Sequence, residues 1–382
     1  MSTMSPHLES NAALSFRNDS AANVGRNTAT NATAIQRYSV RNDSHEDSDA
    51  SSVASTDAGI RRVLTPGFYV PTLAFFDGKT EALDLQTTAQ HAVRLAQGGV
   101  AGLATQGSNG EAVHLSHQER NQITAATRKA LDEAGFDDMP IIVGCGSQST
   151  RETAELCIEA QAAGGDYALV LPPSYYKGLL TPDAIASFFT DVATASPIPI
   201  LIYNYPAASG GLDLSSEVII SLSHHPNIAG CKLTCGNTGK LNRIATATRA
   251  ATASEPGSGF MCLGGSADFA LQTVVAGGSG TLGGLGNIAP RACVRLTELA
   301  FVAAAGGSDG NELRDARKMQ EIVARGDWAA IQGGIVGLKA AMKTFFGYGG
   351  FARKPLPRPS KDESKHWADA LQELVDLERS LE

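Results

Sequence analysis

Two hydrophobic patterns divide the chain. Up to about residue 62, Asn, Ser, Thr and Ala dominate, large apolar residues are scarce, and the run His45-Glu46-Asp47-Ser48-Asp49 stands near the end of the stretch. Such a segment cannot bury enough apolar surface to offset the entropy of ordering it, so residues 1–62 are expected to form a disordered N-terminal tail. Arg17, Arg26, Arg37 and Arg41 hint at a mitochondrial presequence. Glu9 and Asp19 interrupt that pattern and no apolar helical face forms, which favours a plain tail.

From Thr65 onward, short apolar runs alternate with longer stretches of helical periodicity. The strand candidates are Gly67–Leu73, Val100–Thr105, Ile141–Gly144, Tyr167–Leu171, Ile198–Tyr203, Ile228–Lys232, Phe260–Leu263 and Ser279–Leu282. Continuous apolar character in so short a run is the mark of strands buried on both faces, as in parallel sheets. Helices are predicted at Leu85–Gln97, Ser116–Ala134, Thr150–Ala163, Pro182–Ala195 and Ala267–Ala276, with caps at Ser116, Ser149, Thr181 and Ser215. Gly98, Gly135, Gly164 and Gly277 stand where helices should stop. Eight such units in about 240 residues predict an α/β fold, a (β/α)8 TIM barrel over residues 63–305. A doubly wound sheet is the alternative, but no Gly-rich dinucleotide turn follows the first strand. Residues 306–382 read as two or three extra C-terminal helices, interrupted by Gly347–Gly350 and by Pro355, Pro357 and Pro359.

Composition narrows the function. Hydrophobic residues make up 43% of the chain and charged ones 18%, enough for a large core. A net charge of −8 argues against nucleic acid or an anionic membrane surface as the main partner. No apolar run reaches the roughly 18–20 residues of a membrane span. Six cysteines (145, 157, 231, 235, 262 and 293) lie in apolar segments without framework spacing, the pattern of reduced, intracellular thiols. The expected location is cytoplasmic, with mitochondrial as the alternative.

Barrel active sites sit at the C-terminal ends of the strands, so the residues just past each apolar run are the informative ones. Gly107-Ser108-Asn109-Gly110-Glu111 offers converging backbone N–H groups and two side-chain donors, a cradle for a carboxylate or else an ordinary strand–helix turn. Pro172-Pro173-Ser174-Tyr175-Tyr176 places paired phenols that either relay protons or pack at an interface. The strand Ile200-Leu201-Ile202 ends in Tyr203-Asn204-Tyr205-Pro206; Tyr203 is a candidate acid or base if its pKa falls from about 10. Lys232 closes an apolar strand and is the sharpest signal, because burial disfavours an ammonium and leaves a nucleophilic amine. The bland alternative is a lysine that snorkels to solvent. His114 and His117 are the only candidate metal pair, without a third ligand, and no metal or organic cofactor is expected. Cys231 and Cys235 flank the lysine without a second pair and read as core packing. Amine, phenol and donor-rich turn together point to Schiff-base activation of a 2-oxo acid.

Gly107–Glu111, Tyr203–Pro206 and the strand ending in Lys232 resemble the dihydrodipicolinate synthase/N-acetylneuraminate lyase family of class I aldolases, from Thr65 to about Pro357. The resemblance implies that Lys232 forms the imine, Tyr203 is the acid/base, and Ser108 and Asn109 bind the 2-oxo acid carboxylate. It further implies that Ser108 links to Tyr203, that Tyr176 enters from a neighbouring subunit, and that Gly265 and Leu282 line the pocket. Where dihydrodipicolinate synthases carry Thr-Thr this chain has Ser108-Asn109. Ala207-Ala208-Ser209-Gly210-Gly211 also lacks the arginine those enzymes place there. The Gly-Ser-Asn-Gly-Glu turn, His225-Pro226-Asn227-Ile228 and Gly337-Leu338-Lys339 look closer to 4-hydroxy-2-oxoglutarate aldolase and fungal 2-keto-3-deoxy-L-galactonate (L-threo-3-deoxy-hexulosonate) aldolase. The expected activity is therefore a carbon–carbon lyase that cleaves a 4-hydroxy-2-oxo acid to pyruvate and glyoxylate or L-glyceraldehyde, in carbohydrate-acid breakdown. Its partner is a small-molecule 2-oxo acid, and its state a homo-oligomer, a dimer or a homotetramer. The alternatives are a synthase-type condensation of pyruvate with an aldehyde and a non-catalytic 2-oxo-acid-binding barrel.

Overall fold

Eight parallel strands close on themselves in chain order, each hydrogen-bonded to the next and the last to the first. The computed structural model describes residues 62–306 and 310–382; the tail expected over residues 1–62 lies outside these, apart from its last residue. The strands are β1 (Gly67–Pro71), β2 (Gly102–Thr105), β3 (Ile141–Gly144), β4 (Tyr167–Val170), β5 (Ile200–Asn204), β6 (Ile228–Leu233), β7 (Met261–Gly264) and β8 (Gly280–Leu282). Helices α1 (Leu85–Gln97), α2 (His117–Glu133), α3 (Thr150–Ala162), α4 (Pro182–Ala195), α5 (Ser216–Leu222), α6 (Thr238–Thr248), α7 (Ala270–Val275) and α8 (Pro290–Ala304) follow them in turn. The (β/α)8 barrel is the architecture that the alternating pattern predicts.

The continuous apolar runs have a simple cause: alternate residues of each strand feed two different cores. Tyr69, Ala104, Ile142, Leu169, Leu201, Tyr203, Leu263 and Leu282 pack together inside the barrel. Their neighbours Phe68, Val70, Leu103, Ile141, Val143, Ala168, Ile200, Ile202, Cys231 and Leu233 face outward into the helix layer. Lys232 lies between Cys231 and Leu233, so the same alternation turns it inward. Truncating an inner residue such as Leu201 to Ala should cost about 2–5 kcal/mol, since neighbours from every side are committed to the same layer.

The helices begin and end where capping chemistry says they should. Side chains of Ser116, Ser149, Thr181 and Ser215 accept from backbone N–H groups of the first turn, and Ser116 completes a capping box with Glu119. Gly135, Gly164 and Gly277 adopt positive φ just past helices α2, α3 and α7.

Beyond the barrel, two helices complete the described chain: α9 (Asn311–Phe346), bent at Gly334, and α10 (Lys361–Ser380). The segment between them holds Gly347–Gly350 and the three prolines, the interruption the sequence announces. Carboxylates from both helices cap barrel elements. Glu378 accepts the N–H groups of Arg291 and Ala292 at the start of α8, at 3.2 and 2.8 Å. Asp327 accepts the Ser266 hydroxyl and the N–H groups of Ala267 and Asp268 at 2.6–2.9 Å, just past β7. Among the described residues, no helix is long and apolar enough to cross a membrane.

Candidate active site

The period-2 geometry of β5 and β6 brings the chemistry together. Tyr203 and Lys232 are direct partners in the parallel register, and both side chains point into the barrel. The Lys232 Nζ stands 4.3 Å from the centre of the Tyr203 ring, and each residue is 4% exposed. Burial lowers the Lys232 pKa from 10.5 to about 7, and no opposing cause enters. The lysine therefore does not snorkel to solvent. At neutral pH about half of it is the neutral amine, where an unperturbed lysine has roughly 0.04%.

Tyr203 departs from the condition that the sequence reading set. Burial raises its phenol to about 12 rather than lowering it, while the hydroxyls of Thr234 and Ser108 pull the value back part of the way. The resting group is thus a proton donor. It becomes a base only after it has given its proton up beside a cation. The Tyr205 ring stacks on it at 5.7 Å.

Thr234 is the residue that sequence reasoning missed. It sits two positions beyond Lys232, on the same face by strand periodicity, and that spacing was the available signal. Its hydroxyl is buried and faces the Tyr203 phenol without completing a hydrogen bond of ordinary geometry. Gly265 explains itself through Thr234. A Cβ at Gly265 would stand 2.0 Å from the Thr234 Oγ1, so the end of β7 can approach β6 only with glycine there. Leu282, the last residue of β8, is fully buried in the inner layer with Tyr203.

Ser108 and Asn109 lie on the turn after β2. Ser108 faces the Tyr203 phenol. Asn109 reaches the loop after β8, where its Nδ2 would be 2.9 Å from a Cβ at Gly284. Lys232, Tyr203, Ser108, Gly265 and Leu282 thus cluster around the strand ends, with Asn109 at the β8 side. Tyr176 does not join them within one chain. It is 66% exposed on the loop after β4, edge-on to Tyr175 at 5.0 Å.

The two histidines do not converge. His114 Nδ1 bonds Glu111 at 3.0 Å, whereas His117 uses both ring nitrogens on Glu152 and Glu159 of α3 at 2.8–2.9 Å. Cys231 points away from the site, with its Sγ 3.8 Å from that of Cys262.

Known proteins resemble this chain over most of its length. The model of the Dihydrodipicolinate synthetase family matches residues 66–374. A "Probable 4-hydroxy-2-oxoglutarate aldolase, mitochondrial" of Emericella nidulans is 54% identical over 84% of this chain and 98% of its own length. An "L-threo-3-deoxy-hexylosonate aldolase" of Hypocrea jecorina is 45% identical over 83% of this chain and 98% of its own. Among solved structures, a putative dihydrodipicolinate synthase family protein from Coccidioides immitis superposes with a TM-score of 0.72 at 32% identity, covering 85% of this chain and 100% of that one. A buried amine, a buried phenol and a donor-bearing turn at the mouth of a closed eight-stranded barrel, together with this extent of match, establish that the chain belongs to the Dihydrodipicolinate synthetase family.

Proposed function

We propose that the protein is a class I aldolase that cleaves a 4-hydroxy-2-oxo acid to pyruvate and an aldehyde through an imine on Lys232. The observation that carries this reading is the buried Lys232 amine, in register with the Tyr203 phenol and 4.3 Å from the centre of its ring. The amine attacks the C2 ketone, and Tyr203 gives its proton to the departing hydroxyl, which leaves as water. The resulting phenolate stands beside the iminium cation, which offsets the cost of a buried anion. That phenolate takes the C4 hydroxyl proton as the C3–C4 bond breaks, with the iminium as electron sink. Tyr203 then returns the proton to C3 of the enamine, and water releases pyruvate and the free amine. Ser108 orients the phenol, and Ser108 with Asn109 holds the carboxylate. Gly265 and Leu282 wall the pocket. The imine supplies the electrophilic activation itself, so this reading needs no metal and no cofactor.

The names of the relatives support both 4-hydroxy-2-oxoglutarate and a 3-deoxy-hexulosonate as substrate, and the higher identity favours the first. Pyruvate release from the two, offered side by side, decides. Preference for the first means a pocket for a second carboxylate, preference for the second a polyol pocket, and release from neither defeats the aldolase reading. We further propose a homo-oligomer in which Tyr176 serves a neighbouring subunit, supported by the exposed Val113, Tyr175, Tyr176 and Leu179 on the loops after β2 and β4. Mixing Lys232→Ala with Tyr176→Phe protein, each inactive alone, should restore partial activity through hybrids; no restoration defeats this arrangement. The division into a tail over 1–62, a barrel over 63–305 and a helical region over 306–382 is supported by the end of α8 at Ala304 and the start of α9 at Asn311, and truncation at residue 62 tests it. The name of the Emericella nidulans relative supports the mitochondrial alternative to a cytoplasmic location. Imaging of the tagged full chain decides between them.

A further inference from the structure

We infer that Lys339 is a positioning residue for this reaction: through the buried carboxylate of Glu111 it holds the Ser108–Asn109 turn at the barrel mouth, which makes α9 part of the active site. The inference rests on the imine-forming reading of Lys232 and adds to it a residue remote from the bond that breaks.

The turn is bracketed by two non-glycine residues at positive φ, Gln106 at 56° and Glu111 at 51°. Long side chains disfavour that conformation, and it persists only where the surroundings over-determine it. Both ends are so determined. The Gln106 amide donates to the Arg120 carbonyl and, at 2.5 Å, to the Thr124 hydroxyl of α2. Glu111 is fully buried at its carboxylate. One oxygen takes the Lys339 ammonium, and the other accepts the Arg353 N–H at 2.9 Å and meets His114 at 3.0 Å.

Lys339 has no access to solvent and spends its remaining donors inward. It gives one hydrogen bond to the Phe351 carbonyl at 2.9 Å and stands 4.6 Å from the centre of the Phe76 ring. Between the brackets the turn is closed on itself: a Cβ on Gly110 would stand 2.9 Å from the Gln106 nitrogen. A displaced Glu111 therefore moves Ser108 and Asn109 with it. Buried ion pairs contribute little net stability over apolar packing of the same volume. A pair that only anchored α9 would be replaceable by apolar side chains; one that sets the backbone of the turn would not.

Borohydride trapping of the Lys232 imine separates the two roles. Pyruvate is titrated beside hydroxyacetone, a ketone without a carboxylate, on the wild type, on Lys339→Met and on the double variant Glu111→Leu with Lys339→Met. The pyruvate concentration for half-maximal trapping should rise on the order of 100-fold in both variants, the scale of a roughly 1 Å misplacement. The half-maximal concentration for hydroxyacetone, which makes no carboxylate contact, should rise far less than that for pyruvate, and the thermal midpoint should recover in the double variant. If Lys339→Met alone fails to fold, the double variant carries the comparison. Recovery of pyruvate saturation together with the midpoint overturns the inference, as does an equal loss for both ketones. Failure of pyruvate to trap the wild type defeats instead the Lys232 reading, and this one with it.

Discussion

Among the described residues three lysines are buried, Lys232, Lys240 and Lys339, and the surroundings of the first and the last make those two opposites. Lys232, on the inner face of β6, has a tyrosine ring for a neighbour and, among the described residues, no carboxylate. Lys339, on α9, is equally removed from water but lies on Glu111, whose charge opposes the downward shift that burial imposes. Burial alone produces a reactive amine. Burial with a counter-charge opposes that shift and ties the amine to its partner as a strut. The barrel mouth and the C-terminal helix thus use one residue type for two ends.

Removing each lysine sharpens the contrast. Lys232→Met should take turnover to background while the fold survives, and should raise stability at neutral pH by about 2–4 kcal/mol. The sign follows from the lowered folded-state pKa of about 7 against 10.5 for a free lysine. The penalty for burying the amine is full below pH 7 and fades as pH rises toward 10.5. A Met variant less stable than wild type in thermal melts at pH 7 would break the comparison.

Tyr203→Phe removes the proton donor but not the amine. Turnover should fall by about 10²–10⁴-fold, while borohydride with pyruvate still labels Lys232, at a slower rate. Rates within a few fold of wild type would assign the proton transfers elsewhere.

For the strut, the prediction runs the other way. Lys339→Met should lower stability by about 3–5 kcal/mol, because it strands a buried carboxylate, and pairing it with Glu111→Leu should recover most of that. Denaturant melts of the single and double variants measure both. The smallest effect belongs to Gly265→Ala, whose new Cβ meets Thr234 Oγ1 at 2.0 Å. It should cost about 1–3 kcal/mol and slow turnover through the displaced Thr234 and Tyr203; an unchanged melt would show that β7 yields freely.

The barrel and half of the site were legible in the sequence for a shared reason. Parallel strands buried on both faces write a short apolar run, and a lysine inside such a run stands out. Tyr203, Ser108 and Asn109 follow as strand-end residues, and Thr234 was within reach of the same period-2 reasoning applied one step further. Glu111 and Lys339 were both visible as parts of motifs, but nothing local says that residues 228 apart in the chain meet. The direction of the Tyr203 shift was likewise hidden, since it depends on how deeply the inner layer covers the phenol.

The central claim, that burial without a counter-charge makes Lys232 the nucleophile, is tested most directly by borohydride trapping with pyruvate across pH, read by peptide mass. A single label is expected on the peptide that contains Lys232, and none at Lys339. The initial trapping rate should rise about tenfold per pH unit below 7 and level off above it, as the amine loses its proton. A label on another lysine, or a rate that climbs unbroken toward pH 10, would contradict it.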